Sequence, residues 1–441
     1  MLNQKNILAE KVNAQNLTTS QYPEFDLLLC CSLICLSSER SEYIRRLLQK
    51  NINWDHLLQL AKQHKVMPIL CWNLTKICPE EVPNENLEQL QQYLNDNAQR
   101  NEFLTKELLN LLSLLERHGI PAIPYKGPVL TTILYGNSTL RRSVDLDILV
   151  HKLDVLKAKD LFIAEGYKPM LIVKGPEGYK PTFQFDSAQE AEFLDSPDQF
   201  NYKFKPGADR IALIELHWTI TGQRSSLRLD SEWWWDSATS RSFGGTKVLS
   251  FLPEDLLLIL CMNAMKDQWR YLKGVCDVAE LLRVHQDMDW QLVMNRADIL
   301  RIERILFLGL LLAQTFFGIE LPDQVCQRIQ FDPVVKLYAT KLRMSYFSET
   351  NSLHGISENF LFRLLRETPP ASPPYTGYLI LQFLRLAINP TDEDRRLFSL
   401  PVYLHWLYYF VRPVRLVSKY ASFISDKFTE ITSRDPQKLS G

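Results

Sequence analysis

The sequence predicts an α+β fold in which a small mixed β-sheet is flanked by helical regions on its N-terminal and C-terminal sides. Apolar residues recur at three- and four-residue spacing before residue 118 and again after residue 250. Between these blocks, short β-prone runs alternate with an amphipathic helix. We therefore expect a sheet core between two helical regions.

The first part of the chain predicts a polar tail followed by helices. Residues 1–21 lack a basic region followed by an apolar core, so they do not resemble a secretory signal, and we expect them to be disordered. Residues 22–118 predict four to six helices, with the periodicity clearest at 104–115. The last helix should end near Gly119, because glycine is a frequent helix stop.

Residues 119–250 predict the α/β core of the fold. Strands are expected at 120–125, 145–150, 167–173, 181–185, 200–204 and 211–220. Helical turns are expected at 128–135 and a longer amphipathic helix at 153–165. The alternation of strand and helix predicts a compact sheet domain.

Two further regions follow the core. A helical domain is expected at 251–345, and it starts at Pro253, because proline followed by acids is favoured in a first helical turn. Residues 346–441 predict a C-terminal helical region with a proline-rich loop. Its aromatic run at 403–410 precedes two arginines; such a helix packs on the body or docks a partner or a membrane surface.

Composition excludes several classes of protein. The 50 basic and 51 acidic residues give a net charge of -1, so there is no strong nucleic-acid signature. The eight cysteines show no paired zinc-ligand spacing and lie mostly in apolar runs, which fits a reducing cytoplasm. No segment has the roughly 20 apolar residues of a transmembrane helix.

Two aspartates are the strongest functional clue. Asp145 and Asp147 lie in the predicted strand 145–150, where residues two apart share a face. Like charges this close repel, and divalent cations would neutralise both. The alternative is a solvated pair, or a pair bound to neighbouring arginines.

A turn upstream suggests phosphate binding. Lys126 and Gly127 lie where the first predicted strand leads into a helix, and such a turn presents backbone N–H groups and a helix N-terminus to an anion. Lys126 adds a mobile positive charge. The alternative is that Gly127 only permits the turn and that Lys126 is solvated.

A third acid lies downstream. Glu215 and His217 share one face of the predicted strand 211–220. Beside the aspartate pair, Glu215 would complete a ligand set for two magnesium ions in a two-metal phosphoryl-transfer site. His217 either hydrogen-bonds to the residues that hold the metal or is a hydrogen-bonded core histidine. Glu215 could also face solvent.

The order of several segments carries more information than any one of them. They are the helical lead-in, Lys126-Gly127, the stretch from Tyr135-Gly136 through Arg141 to Val150, Gly166-Tyr167, residues 215–218, residues 252–255 and Asp289-Trp290. Together they resemble an uncharacterised bacterial nucleotidyltransferase family of the polymerase-β-like superfamily. The resemblance covers most of the chain.

This resemblance implies transfer of a nucleoside monophosphate from a nucleoside triphosphate, with ATP among the expected substrates, to an unidentified acceptor. It implies that Asp145, Asp147 and Glu215 hold two Mg²⁺ ions, or Mn²⁺, and act as the catalytic residues. It also implies that Lys126 and Gly127 contact the phosphates, and that Arg141 or Arg142 neutralises charge on the phosphoryl oxygens.

Two departures leave alternatives open. The superfamily has a Gly-Ser or Gly-Gly pair at the nucleotide turn, where this chain has Lys126-Gly127. Histidines of the family pattern are replaced here by Asn263 and Asp267, which puts the acceptor or the activity in question. The competing functions are an inactive nucleotide-binding or scaffold module and a toxin-like or antibiotic-modifying transferase.

Overall fold

The computed structural model describes residues 23–34, 37–175, 178–182, 186–195, 201–205, 212–220 and 232–346, with positions 365, 407 and 409 in isolation. The chain forms two compact units, Met1–Glu367 and Thr368–Gly441. All elements given below belong to the first unit. The predicted disordered tail 1–21, the proline-rich loop and the aromatic run with its arginines lie outside the described residues, apart from the isolated positions.

Five helices open the described chain: α1 Pro23–Cys30, α2 Ser38–Leu48, α3 Trp54–Gln63, α4 Met67–Ile77 and α5 Asn84–Arg117, with a 3₁₀ turn at Pro79–Glu81 before α5. The 34-residue α5 is the longest of them. Its buried Leu104, Leu108, Leu111 and Leu115 recur at helical spacing, so one face of α5 packs on the core while the other stays polar.

The core alternates strands and helices. Its elements are β1 Ala122–Pro124, α6 Gly127–Tyr135, β2 Asp145–Val150, a 3₁₀ turn Lys152–Asp154, α7 Val155–Ala164, β3 Lys168–Gly175, β4 Gly178–Thr182, α8 Ser187–Asp195, β5 Asn201–Lys205 and β6 Leu213–His217. Then come α9 Glu232–Asp236, β7 Thr239–Phe243 and β8 Thr246–Ser250. The helix α8 and the β7–β8 hairpin were not predicted from the sequence.

Six strands form one mixed sheet in the order β1-β2-β6-β5-β3-β4. β2 and β6 run parallel, and the other neighbours are antiparallel. β2 is fully apolar on the face away from the acids, where Leu146, Ile148 and Val150 are buried. The mixed sheet with helical flanks confirms the predicted α+β fold.

Helices complete the described chain: α10 Pro253–Lys266, α11 Leu272–Val284, α12 Trp290–Ile299, α13 Glu303–Phe317, α14 Asp323–Phe331 and α15 Pro333–Tyr346. The start of α10 at Pro253 is as predicted. Among the helices of the described ranges, none combines the length and the hydrophobicity that spanning a bilayer requires.

Candidate active site

Two neighbouring parallel strands bring the predicted acids together. Asp147 of β2 and Glu215 of β6 are partners in the register of the sheet, and His217 lies two residues beyond Glu215 on the same face. One ligand atom from each of these three residues lies within 4.8 Å of the others. The three residues, called the acidic cluster below, therefore have the geometry of a cation site.

Lysines neutralise both carboxylates of the acidic cluster. The Lys126 Nζ donates a hydrogen bond of 2.7 Å to Asp147 Oδ1, and Lys203 of β5 forms an ion pair with Glu215. His217 Nε2 lies 3.0 Å from Asp147 Oδ1 and 3.5 Å from Glu215 Oε2. Lys203 was not predicted from the sequence, because its contact with Glu215 depends on the order of the strands in the sheet.

Burial and these contacts set the charge states. Burial would raise the pKa of Asp147, but Lys126 and the hydrogen bond with His217 hold that pKa well below its ordinary value. The pKa of Glu215 falls to about 2, because its contacts with His217 and Lys203 outweigh burial and repulsion from Asp147. Burial would lower the pKa of Lys126, yet the Asp147 carboxylate keeps it raised. Both carboxylates of the cluster are therefore ionised at neutral pH.

The acidic cluster has ligand capacity left. Asp147 is 2% exposed, and its buried Oδ2 accepts no hydrogen bond from any described residue. A buried carboxylate oxygen without a donor is costly unless a cation takes its lone pairs. Two carboxylates and an imidazole suit a divalent cation, with oxygen ligands typical of Mg²⁺ and Mn²⁺. The residues present fit such an ion.

Asp145 lies on the same strand face but outside the acidic cluster. It is half-buried, and burial followed by repulsion from Asp147 raises the pKa of its carboxyl group. Unlike Asp147, it lines a neighbouring cleft. Asp145 therefore lies between the acidic cluster and the space open to a ligand.

The turn before α6 requires glycine. Gly127 has φ +57°, and a Cβ there would lie 2.7 Å from the backbone oxygen of Asp145. Only glycine adopts this conformation at little cost and allows the approach. The α6 N-terminus is thereby held against β2, next to Asp145. Lys126 precedes this helix as its N-cap residue.

Helix α5 holds the loop that leads into β2. Asn101 is fully buried; its side-chain amide donates to the carbonyl oxygens of Ser138 and Arg141, at 2.7 Å for Arg141, and its Oδ1 accepts from Ser143 N–H. Asn97 and Arg100 add bonds to the same loop. These residues were not predicted to be important, although polar side chains on the buried face of an amphipathic helix indicate buried hydrogen bonds.

The two predicted arginines have different environments. Arg141 is buried in an ion pair with Asp277 of α11, with its Nε 3.0 Å from Asp277 Oδ1. Tyr135 O–H donates to the same carboxylate. Arg142 is exposed, and its Nη1 lies 3.5 Å from the Tyr93 hydroxyl. Arg142 is thus the arginine that is free to meet a ligand.

A cleft of about 450 Å³ opens beside Asp145. Its sheet wall comes from α6, from β2 and from the loop between them, and its helical wall comes from α10, α11 and the α3–α4 turn. Six cationic side chains line it, against three carboxylates (Lys65, Lys126, Arg141, Arg142, Lys266 and Lys273; Asp145, Asp267 and Asp277). The excess of positive charge suits an anionic ligand.

The turn between α10 and α11 shapes the helical wall. Gln268 and Trp269 both have positive φ, at 55° and 54°, which costs non-glycine residues on the order of 1 kcal/mol each. Trp269 is 1% exposed, and Gly309 leaves room for its ring, because a Cβ there would lie 2.7 Å from it. Such backbone strain is typical of functional sites. Asn263 and Asp267 also line the cleft.

The tryptophan run 233–235 lies in α9. Trp234 is buried and contacts Phe251 edge to face at 5.7 Å. Trp235 stacks on His151 at 3.9 Å. Neither tryptophan lines the cleft, so their contacts are packing contacts.

The fold thus places a carboxylate cluster with the geometry of a cation site beside a cationic cleft. The chain belongs to the family described as uncharacterised nucleotidyltransferase, whose sequence profile matches residues 50–318. This match confirms the predicted family and supports a nucleotidyltransferase acting on a nucleotide substrate.

Two further comparisons complete this picture. No curated protein sequence matches the chain. Among solved structures, the chain is similar to an antigenic nucleotidyltransferase-like protein from Paracoccidioides brasiliensis. The two are 16% identical with a TM-score of 0.27, over 45% of this chain and 88% of that one.

Proposed function

We propose that the protein transfers a nucleoside monophosphate from a nucleoside triphosphate to an acceptor. The observation that carries the proposal is the acidic cluster with its unpartnered Asp147 oxygen, next to the Gly127 turn and a cationic cleft. Membership of a nucleotidyltransferase family supports the same reaction class. The acceptor hydroxyl or phosphate would attack the α-phosphorus and release pyrophosphate.

Asp145, Asp147 and Glu215 are the residues that would hold Mg²⁺ or Mn²⁺, with His217 beside them. Bound divalent ions supply charge neutralisation for the triphosphate and activation of the attacking oxygen. Asp145 is the one of these three carboxylates that lines the cleft, so it could also accept the acceptor's proton. Glu215 is the alternative proton acceptor.

The sheet wall would position the triphosphate. Gly127 lets backbone N–H groups approach phosphate oxygens closely, and the α6 N-terminus favours negative charge. Lys126 lines the cleft while its Nζ contacts Asp147, so one side-chain rotation would take it from a carboxylate to a phosphate. Arg142 would neutralise phosphoryl oxygens, whereas Arg141 is held by Asp277 and would act by fixing the loop.

Label transfer tests this proposal. Purified protein is incubated with each α-³²P nucleoside triphosphate, with Mg²⁺ or Mn²⁺ and a cell extract, and labelled products and pyrophosphate are measured. We expect transfer by the wild type and a loss on the order of a thousandfold for Asp147→Asn, because a ligand and charge partner is removed. Asp160→Asn, at an exposed site outside the cleft, is the matched control.

The competing functions give different results. Triphosphate binding without pyrophosphate release in any extract would favour an inactive binding module. Label on an antibiotic, a protein or an RNA would support the transferase and name its acceptor class. Undiminished transfer by Asp147→Asn, in protein with unchanged circular dichroism, would overturn the proposed site.

A further inference from the structure

The helical wall of the cleft carries three lysines from three separate elements. Lys65 comes from the α3–α4 turn, Lys266 ends α10 and Lys273 lies in the first turn of α11. None of them belongs to the acidic cluster or to the turn before α6. Three converging positive charges need a reason, because like charges in one cleft repel.

Lys273 is the least compensated of these charges. It is half-buried, and no described carboxylate lies within the 4.0 Å of an ion pair with its Nζ. The neighbouring Asp277 already binds Arg141. Burial and repulsion from Arg141 lower the pKa of Lys273 to about 8. An ammonium group held this way gains strongly from an anionic ligand.

Lys65 is fixed beside Lys273 by the backbone. Lys65 has φ +60°, a strained conformation, and the carbonyl oxygen of the preceding His64 accepts a 3.2 Å hydrogen bond from Lys273 N–H. The Lys65 Nζ lies 3.4 Å above the Tyr271 ring and 3.8 Å from Asp267. Its side chain is 47% exposed and can turn to a ligand.

These lysines come from other elements than the Lys126-Gly127 turn, although all of them line the same cleft. The Asp145 carboxylate interacts electrostatically with both Lys126 and Lys273. Arg141 next to Lys273 is paired with Asp277, so the other carboxylates that act on Lys65 and Lys273 are Asp267, 3.8 Å from Lys65, and Asp145. An anionic group would balance the excess of positive charge that lines the cleft. Lysine ammonium groups bind phosphate as point charges.

We propose that Lys65 and Lys273 form a second anion subsite that binds a phosphoryl group. This inference rests on the proposed transferase function, because it assigns the group to one of that reaction's substrates. The phosphoryl group is either the terminal phosphate of the nucleotide or a phosphate on the acceptor. Both sources present the same chemistry to the two ammonium groups.

Calorimetry on the full chain tests the subsite without any turnover. Inorganic phosphate and tripolyphosphate are titrated into wild type, Lys273→Met, Lys65→Gln and the double variant, without metal. We expect tripolyphosphate affinity to fall about tenfold in each single variant and further in the double variant, with Lys273→Arg restoring it. Lys62→Gln, on an exposed α3 side chain outside the cleft, is the matched control.

Nucleotide binding distinguishes the two possible sources of the phosphoryl group. If the triphosphate tail occupies the subsite, Lys273→Met weakens binding of the nucleoside triphosphate but not of the monophosphate. If an acceptor phosphate does, triphosphate affinity is unchanged, and inorganic phosphate still binds the nucleotide-saturated wild type but not the variant. Phosphate and tripolyphosphate affinities equal to the Lys62→Gln control in the Lys65 and Lys273 variants would overturn the subsite.

Failure of the subsite and failure of the proposed function remain distinguishable. A wild type that binds no nucleoside triphosphate, with or without Mg²⁺ or Mn²⁺, contradicts the transferase, while the inorganic anions still test the two lysines. A wild type that transfers label while the lysine variants bind phosphate normally contradicts only the subsite.

Discussion

The two walls of the cleft handle charge in different ways. On the sheet side, Lys126 is matched by Asp147, and Arg141 by Asp277 across the cleft. On the helical wall, Lys273 has no described carboxylate within ion-pair distance, and Lys65 has one exposed partner at 3.8 Å. In the first arrangement, each of these two cations has a carboxylate partner at hydrogen-bond distance. The second pairs strained backbone with uncompensated charge, which favours a role in binding over a role in stability.

Removal of Arg141 is the strongest test of charge compensation on the sheet side of the cleft. Arg141→Met leaves the Asp277 carboxylate buried without its partner, so we expect a loss of about 3–5 kcal/mol in the free energy of unfolding. Arg142→Met should change that free energy by less than about 0.5 kcal/mol, since Arg142 is exposed. Urea denaturation of both variants measures the difference; equal effects would contradict the structural role of Arg141.

A second test concerns the close approach at Gly127. Gly127→Ala places a Cβ on the Asp145 carbonyl oxygen at a positive φ, and we expect a loss of about 3 kcal/mol. Gly136→Ala is the control, because Gly136 also has positive φ but has nothing within 4 Å of its Cβ position. It should lose only about 1 kcal/mol. Equal losses in thermal unfolding would show that steric contact with β2 is unimportant.

The helical wall should be sensitive to acid through His64. Burial lowers the pKa of His64 to about 4 from 6.5, so the unfolded chain binds a proton between these pH values and the folded chain does not. Stability therefore falls as the pH drops through this window, by about 2 kcal/mol at pH 5. His64→Phe should lose this component, whereas His118→Phe, at an exposed position, should retain it. Parallel pH profiles of urea unfolding for wild type and His64→Phe would contradict it.

The smallest expected effect is a gain of stability at Lys273. Its pKa is lowered from 10.5 to about 8, so a folding cost is present below pH 8 and disappears as the pH rises towards 10.5. Lys273→Met should raise the free energy of unfolding by about 1 kcal/mol at pH 7, less than the full pKa shift implies because solvent screens the half-buried ammonium group, and the gain should vanish by about pH 10.5. A lower free energy of unfolding for Lys273→Met than for the wild type at pH 7 would show that the Lys273 ammonium group stabilises the fold, and would contradict its description as an uncompensated charge.

Local patterns in the sequence predicted much of the sheet. β2 occupies the predicted residues 145–150, because its acids alternate with apolar residues up to Ile148 and the run stays apolar to Val150, and β6 lies within the predicted strand 211–220. The β7–β8 hairpin was missed because its strands, at 239–243 and 246–250, are mostly polar, and half of their residues are exposed. Such strands lack the regular alternation of apolar and polar residues by which a strand is predicted from a sequence.

Contacts between distant positions were beyond the sequence. Lys203 meets Glu215 because β5 pairs with β6, which no local pattern specifies. Arg141 was expected at the phosphates, and its partner Asp277 lies 136 positions away. Lys65 and Lys273 are neighbours because the Lys273 N–H donates a hydrogen bond to the carbonyl oxygen of His64. Charges whose meaning depends on tertiary neighbours cannot be assigned from spacing alone.

The lysines on the acidic cluster have a practical consequence. Because Lys126 and Lys203 neutralise Asp147 and Glu215 in place, the fold does not depend on a divalent ion to tolerate its buried acids. The protein should therefore withstand a chelator, unlike small domains whose folding free energy comes from metal binding. Dialysis against EDTA would then remove activity while leaving the protein folded, and added Mg²⁺ would restore turnover without a refolding step.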